Sequence, residues 1–311
     1  MNFNKENINK YGLESLIKAY FLQKKLLSNS TINEFVTNSK GSDKAMRGDF
    51  ESEEVVIQYL KNHDVPISIK AEEHGRINLG KQQVYTGVLD GIDGSSALAD
   101  DPSSRCGTIL SIATGLKPVY NDFFFTGITE YTTDKIVYVE NEKISAISFS
   151  EGGAFVQESS EFKHNLRGKI ISVSIDDPTL YKYAKGVTEG MDKFAEFMNS
   201  TFTQPLSKHE NKYKLGGQCS SGAMAIDLAE GKVDAVAQIV VKGVYEPPSL
   251  YVITKAIGGV AMNRRGEKID KSYWEGGERE YIGLNEIDAH IFANSEYVAQ
   301  EILKDINLNL K

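Results

Sequence analysis

Cysteine is nearly absent from this 311-residue chain. Only Cys106 and Cys219 occur, too few and too far apart for a disulfide framework or a structural zinc cage, which points to a reducing cytoplasm. Basic charge is in deficit as well, with 35 Lys and Arg against 43 Asp and Glu and a formal charge of −8. That balance argues against nucleic acid or an anionic membrane as the main partner, because phosphate backbones call for a basic surface. Long apolar runs are missing. The stretch Ala235 to Val241 is broken by Gln238 and falls far short of the ~20 residues that cross a bilayer. Met1 to Gly12 is polar with charges of both signs, which predicts no export signal. There is no P-loop or Rossmann fingerprint, and His63, His74, His164, His209 and His290 show no paired ligand spacing. What remains is an ordinary globular composition, 41% hydrophobic and 25% charged, on a chain long enough for one large domain or two of moderate size.

The apolar pattern changes style once. Ile8, Leu13, Leu16, Ile17, Tyr20, Phe21 and Leu26 recur at helical spacing and predict an amphipathic first helix. A second helix is expected near Asp49, with Asp49 as cap, Glu51, Glu53 and Glu54 in its first turn, and an end at Asn62 and His63. Strands follow over Ile67 to Ile69, Val84 to Leu89, Thr108 to Ala113, Phe123 to Ile128, Ile136 to Val139 and Ile144 to Phe149, a meander behind two helices. After the polar stretch Glu158 to Gly168 strands and helices alternate: strand Lys169 to Ser174, helices Thr188 to Met198 and Ser220 to Glu230, strand Val233 to Val241, then helices Pro247 to Ile257 and Ser295 to Leu303. We place the division near residue 165, giving an α+β half over 1–165 and an α/β half over 166–311.

Chemistry concentrates in three short segments. Asp90-Gly91-Ile92-Asp93-Gly94-Ser95-Ser96 follows an apolar strand; its two carboxylates can share hard cations, and Gly94, Ser95 and Ser96 suit close approach of a phosphate. A plain polar turn explains the same Asp-Gly pairs. Glu72-Glu73-His74 ends the preceding predicted strand, and strands adjacent in sequence usually pair. Tyr245-Glu246 precedes a Pro-started helix that ends at Gly258-Gly259; helix punctuation accounts for the prolines and glycines but not for the acid.

Taken in order, the acid pair, Asp-x-Ile-Asp-Gly-Ser-Ser, and an aromatic-acid pair eleven residues before Gly-Gly resemble the magnesium-dependent, lithium-sensitive phosphatases: inositol monophosphatases and fructose-1,6-bisphosphatases. Lys40, Asp43 and Asp49 resemble the Lys…Asp…Asp stretch of that superfamily, and Ser220 to Asp234 resembles its Gly-Ser-x-Ala helix. The resemblance implies a layered αβαβα sandwich of the sugar-phosphatase type, with mixed sheets in two halves. It implies two or three Mg2+ ions held by Glu72, Asp90, the carbonyl of Ile92, Asp93 and Glu246, with Gly94, Ser95 and Ser96 around the phosphate. Catalysis would fall to Glu72 and a Ser95–Asp49 pair, and Ser220, Ser221 and Gln238 would face the substrate. The implied substrate is a small phosphorylated polyol or sugar, and a homodimer is favoured.

The departures from that pattern are informative. Gly91 stands where a proline is usual, Gln238 aligns with the position where inositol monophosphatases place an acid for ring hydroxyls, and Ser95-Ser96 with Tyr245-Glu246 is the fructose-bisphosphatase form. Gly91 and Gln238 also keep open a non-catalytic phosphometabolite-binding protein. Cys219 at a helix start reads as a small packed residue, and Lys208, Lys212 and Lys214 as a solvated basic patch.

Overall fold

The computed structural model describes residues 3–37, 44–150, 153–158, 171–176, 213–217, 220–238, 244–263, 265–277 and 290–305. Helix α1 (Lys5–Ser28) starts at Asn4, whose side chain accepts the N–H of Asn7, and buries Ile8, Leu16, Tyr20 and Leu26. Phe21, expected on that face, is 57% exposed, because one residue past Tyr20 the helix has turned by about 100°. A short strand pair, β1 (Phe35–Thr37) and β2 (Lys44–Met46), leads into α2 (Arg47–Asn62). Asp49 is not the cap. Met46 holds that position without a side-chain bond, and Asp49 lies buried inside the first turn.

The first sheet holds β3 (Ile67–Ala71), β4 (Gly75–Asn78), β5 (Tyr85–Asp93), β6 (Gly107–Thr114), β7 (Phe123–Glu130), β8 (Lys135–Glu140), β9 (Lys143–Ser150) and β10 (Gly153–Glu158). Their order is β10-β9-β8-β7-β6-β5-β3-β4. All neighbours are antiparallel except β3 and β5, which run parallel with Ala71 opposite Leu89. The expected meander is therefore corrected at its edge, where β4 folds back on β3 and lets the chain re-enter beside it. All nine residues of β5 are buried, as expected for a strand covered on both faces.

The second sheet has the order β12-β11-β13-β15-β14, from β11 (Ile171–Asp176), β12 (Tyr213–Gly217), β13 (Ala235–Gln238), β14 (Val260–Asn263) and β15 (His290–Ala293). Strand β11 is parallel to β12 and β13, and the remaining pairs are antiparallel. The short helix α3 (Ser95–Asp100) leaves the end of β5. Helices α4 (Ser221–Ala229) and α5 (Pro247–Ala256) lie between the sheets, where Met224, Leu228, Leu250 and Ile253 meet Val88 and Ile109 of the first sheet and Val236 and Phe292 of the second. Helix α6 (Glu296–Asp305) packs on β14 and β15, while α1 and α2 cover the first sheet. The result is the α, β, α, β, α layering. Each fully buried Leu, Ile or Phe in these seams contributes about 1.5–3 kcal/mol.

The division near residue 165 and the helix expected over 188–198 lie outside the described residues; the first sheet ends at Glu158 and the second begins at Ile171. No helix among the described residues is long and apolar enough to cross a membrane.

Candidate metal centre

Topology builds the site. Parallel β3 and β5 end on the same side, so Glu72, just past β3, stands beside Asp90; its backbone N–H donates to the carbonyl of Leu89 at 3.2 Å. Asp90 and Asp93 are three positions apart, and in a regular strand an odd spacing sends side chains to opposite faces. Here β5 carries a bulge: Asp90 opposes Ile109 and Asp93 opposes Gly107, leaving Gly91 and Ile92 against Thr108 alone. The extra residue turns both carboxylates the same way. Glu246 arrives from the other half at the N-cap of α5, fixed by Pro247 and Pro248 in the first turn. One carboxylate oxygen from each of Asp90, Asp93 and Glu246 lies within 4.8 Å of the others, and all three residues are buried.

Such a cluster resists ionisation. Burial first, then the charges of Glu72, Asp93, Glu246 and Asp49, hold the Asp90 carboxyl well above the usual carboxylate range. Asp49 is raised likewise, by burial and then by Glu72, Glu73 and Glu53, while a hydrogen bond from the Ile92 N–H opposes the shift. Tyr245 beside the cluster is pushed up by burial and by Glu72, Glu53, Asp90 and Glu246. Glu72 itself is exposed, so it forms the solvent rim while the other acids form the floor.

Asp93 is held from the second half. Its Oδ2 accepts the Ser220 hydroxyl at 2.7 Å and the Gly222 N–H at 2.6 Å, and Ser220 also caps α4 through the Ala223 N–H at 3.0 Å. A side chain on Gly222 would crowd that oxygen, since its Cβ would lie 3.2 Å away. This corrects the expectation for Ser220, whose hydroxyl is buried and committed to Asp93 rather than turned to a substrate. Ser221 is fully buried and its hydroxyl accepts from the amide of buried Gln238 at 3.5 Å.

The expected Ser95–Asp49 pair is not hydrogen-bonded. Ser95 is half-buried at the start of α3, Ser96 is exposed, and Asp49 instead takes the N–H of Ile92. Gly94 adopts the left-handed backbone at φ 91°, and a Cβ there would meet Ser220 at 3.0 Å. Gly91 does not loosen the loop as its replacement of proline suggests. Helix α2 passes so close that a Cβ on residue 91 would lie 2.2 Å from the Asp49 carbonyl oxygen, so only glycine fits.

Sequence reasoning missed Glu53. Fully buried on α2 one turn past Asp49, it accepts the Glu73 N–H at 3.1 Å, the His74 N–H at 3.0 Å and His74 Nδ1 at 2.8 Å, fixing the turn that carries Glu72. His74 stacks on Phe50 and also meets Glu54 at 3.0 Å. Burial lowers the His74 pKa, but its bonds and charges with Glu53 and Glu54 carry it above the usual histidine value. The available signal was the four-residue spacing of Asp49 and Glu53 on one helix face. Lys40, Asp43, Lys208, Lys212 and Cys219 lie outside the described residues, and for Lys214 only the backbone in β12 is described.

No family model and no curated protein sequence matches this chain. Solved structures do. The inositol monophosphatase (IMPase) of Thermotoga maritima superposes with a TM-score of 0.61 at 14% identity, over 95% of this chain and 94% of that one. A dual-specific IMPase/NADP phosphatase bound with D-inositol-1-phosphate gives 0.65 at 13% identity, over 99% and 98%. An IMPase/NADP phosphatase complexed with Mg2+ and phosphate gives 0.58 at 14%, over 96% and 95%. At these identities the likeness is one of fold. The chain has the α/β architecture of the inositol monophosphatase structures along nearly its whole length, as the sequence resemblance implies.

Proposed function

We propose that this chain is a Mg2+-dependent phosphomonoesterase acting on a small phosphorylated polyol or sugar. The observation that carries the reading is the buried meeting of Asp90, Asp93 and Glu246, drawn from both halves of the chain. The residues fit a hard divalent cation. Their donors are carboxylate oxygens, the preferred ligands of Mg2+, and Asp90 Oδ1 is buried with no hydrogen-bond partner among the described residues. Asp90, Asp93 and Glu246 would hold the ion, with Glu72 and the carbonyl of Ile92 serving the two or three ions of the full set. When bound, Mg2+ supplies positive charge against the phosphate and makes a nearby water more acidic.

The protein's own groups divide the remaining work. Glu72, exposed at the rim, accepts the proton of the attacking water, and Gly94, Ser95 and Ser96 orient the phosphate. Asp49, which feels the charge of Glu72, and Ser95, not bonded to Asp49, align the water once substrate is bound. A fructose-1,6-bisphosphatase is the second reading, favoured by Ser95-Ser96 and Tyr245-Glu246. The homodimer rests on the family resemblance, and size-exclusion chromatography with light scattering tests it. Activity is tested by phosphate release with and without Mg2+ from inositol phosphates, fructose-1,6-bisphosphate, NADP and 3′-phosphoadenosine 5′-phosphate. Release from an inositol or sugar phosphate that stops on chelation supports the proposal. Mg2+ binding without release from any substrate would indicate a phosphometabolite-binding protein instead.

A further inference from the structure

A bulge has to be held. Where β5 departs from its ladder with β6, the carbonyl of Gly91 is taken by side chains: the Thr108 hydroxyl donates to it at 2.8 Å and Gln23 Nε2 at 3.1 Å. Gln23 belongs to α1 and Thr108 to β6, the latter lying directly opposite the bulge. The two N–H groups of the Gln23 amide also face Thr108 Oγ1 at 2.6 Å and Ser52 Oγ of α2 at 2.7 Å, so one of them is shared between two acceptors. Gln23, Ser52 and Thr108 are all fully buried. A threonine hydroxyl has one proton, and Thr108 gives it to Gly91, so Gln23 must present its nitrogen. Gln23 Oε1 is left buried with no hydrogen-bond partner among the described residues. An apolar pair could pack this position but would leave the buried Gly91 carbonyl without its two side-chain donors, so what the arrangement secures is the loop.

From this we propose that Gln23 and Thr108 are positioning residues for the metal centre. They anchor the Gly91 carbonyl from behind and so keep the bulge that aims Asp90 and Asp93 at one point. Gly91 completes the device: α2 lies against it, and any side chain there would push the loop off its anchor. None of these residues touches substrate. The inference rests on the metal-centre reading above and names what holds that centre in register.

The test is direct Mn2+ binding by electron paramagnetic resonance, with circular dichroism and melting temperature recorded for every variant. The wild type should bind Mn2+; if it does not, the metal-centre reading falls and this inference with it. Thr108→Val keeps the shape and removes the donor, and should weaken Mn2+ binding by roughly 10–100-fold in protein that remains folded. Thr108→Ser should restore it to within about threefold, because the hydroxyl is what matters. Gln23→Met should weaken binding in the same direction, and it decides the question if Thr108→Val does not fold. Wild-type Mn2+ affinity in folded Thr108→Val or Gln23→Met, or a Thr108→Ser protein as weak as Thr108→Val, would overturn the inference while leaving the metal centre standing.

Discussion

Helix α4 is tied to the first sheet at two places, and the acids at those places are treated oppositely. At its start Asp93 meets Asp90 and Glu246 across a few ångströms, and Asp90 is raised well above the carboxylate range. Near its end the Arg105 guanidinium donates to Glu130 of β7 and, at 2.8 Å, to Asp227 of α4. Lys135 and Lys232 each reach Glu230 at 2.6 Å. Burial pushes Glu230 up, but bonds from the two lysines outweigh it and hold the acid below its ordinary value. For Arg105 burial works downward, and Glu130 and Asp227 carry the net shift upward. One end of the helix carries acids with their own cations; the other gathers acids that leave Asp90 Oδ1 unsatisfied. The first arrangement is a clasp. The second is the arrangement that the proposed cation site calls for.

The largest expected effect comes from removing a site acid. Asp93→Asn, and likewise Glu72→Gln, should lower phosphate release by about 10³-fold, or ~4 kcal/mol of transition-state stabilisation, with the circular dichroism spectrum unchanged. Unchanged activity at limiting and saturating Mg2+ alike would erase the difference between the two ends of α4. Arg105→Met attacks the clasp. Removing the guanidinium from buried Glu130 and Asp227, which keep Lys135 at 3.6 Å and Lys232 at 3.4 Å, should cost about 2 kcal/mol in urea denaturation. The folded variant should keep its response to Mg2+.

Ser95→Ala should reduce kcat by only about tenfold, since Ser95 is not bonded to Asp49; a loss as large as that of Glu72→Gln would give the hydroxyl a greater role. The smallest effect concerns pH and sharpens the comparison by its sign. Asp90 has a raised folded pKa, so its contribution to stability is present at low pH and is lost as pH rises through that value. Glu230 is lowered, so its contribution is present above the ordinary carboxylate range and is lost as pH falls. In chelator, Asp90→Asn should therefore raise the melting temperature at pH 7.5 by about 2–4 °C and weaken its rise on acidification. Mg2+ should stabilise the wild type and not this variant.

The start of β5 and the span of α5 were legible in the sequence because strand composition and Pro at a helix start are local signals, whereas β5 runs past the expected end at Leu89 to Asp93. Glu72 could be placed beside Asp90 because strands adjacent in sequence tend to pair, although the parallel sense came from the small β4 hairpin that no apolar pattern marks. The bulge, the need for glycine at 91 and the bond from Ser220 to Asp93 were not legible. Each depends on an approach between segments far apart in the chain, such as Asp49 against Gly91 or α4 against β5. Gln23 and Thr108 carry no motif, and read locally they are one polar residue in a helix and another in a strand. Glu53 reads locally as one acid of a helix's first turn, and only its burial against the 72–74 turn shows its work.

The central claim is that Asp90, Asp93 and Glu246 form a cation site, and anomalous X-ray scattering from crystals grown with Mn2+ tests it most directly. The account predicts an anomalous peak at about 2.0–2.6 Å from carboxylate oxygens of all three residues. It also predicts loss of that peak in Asp90→Asn crystals. Full Mn2+ exposure with no peak among these three acids, or a protein cation seated there instead, would contradict it.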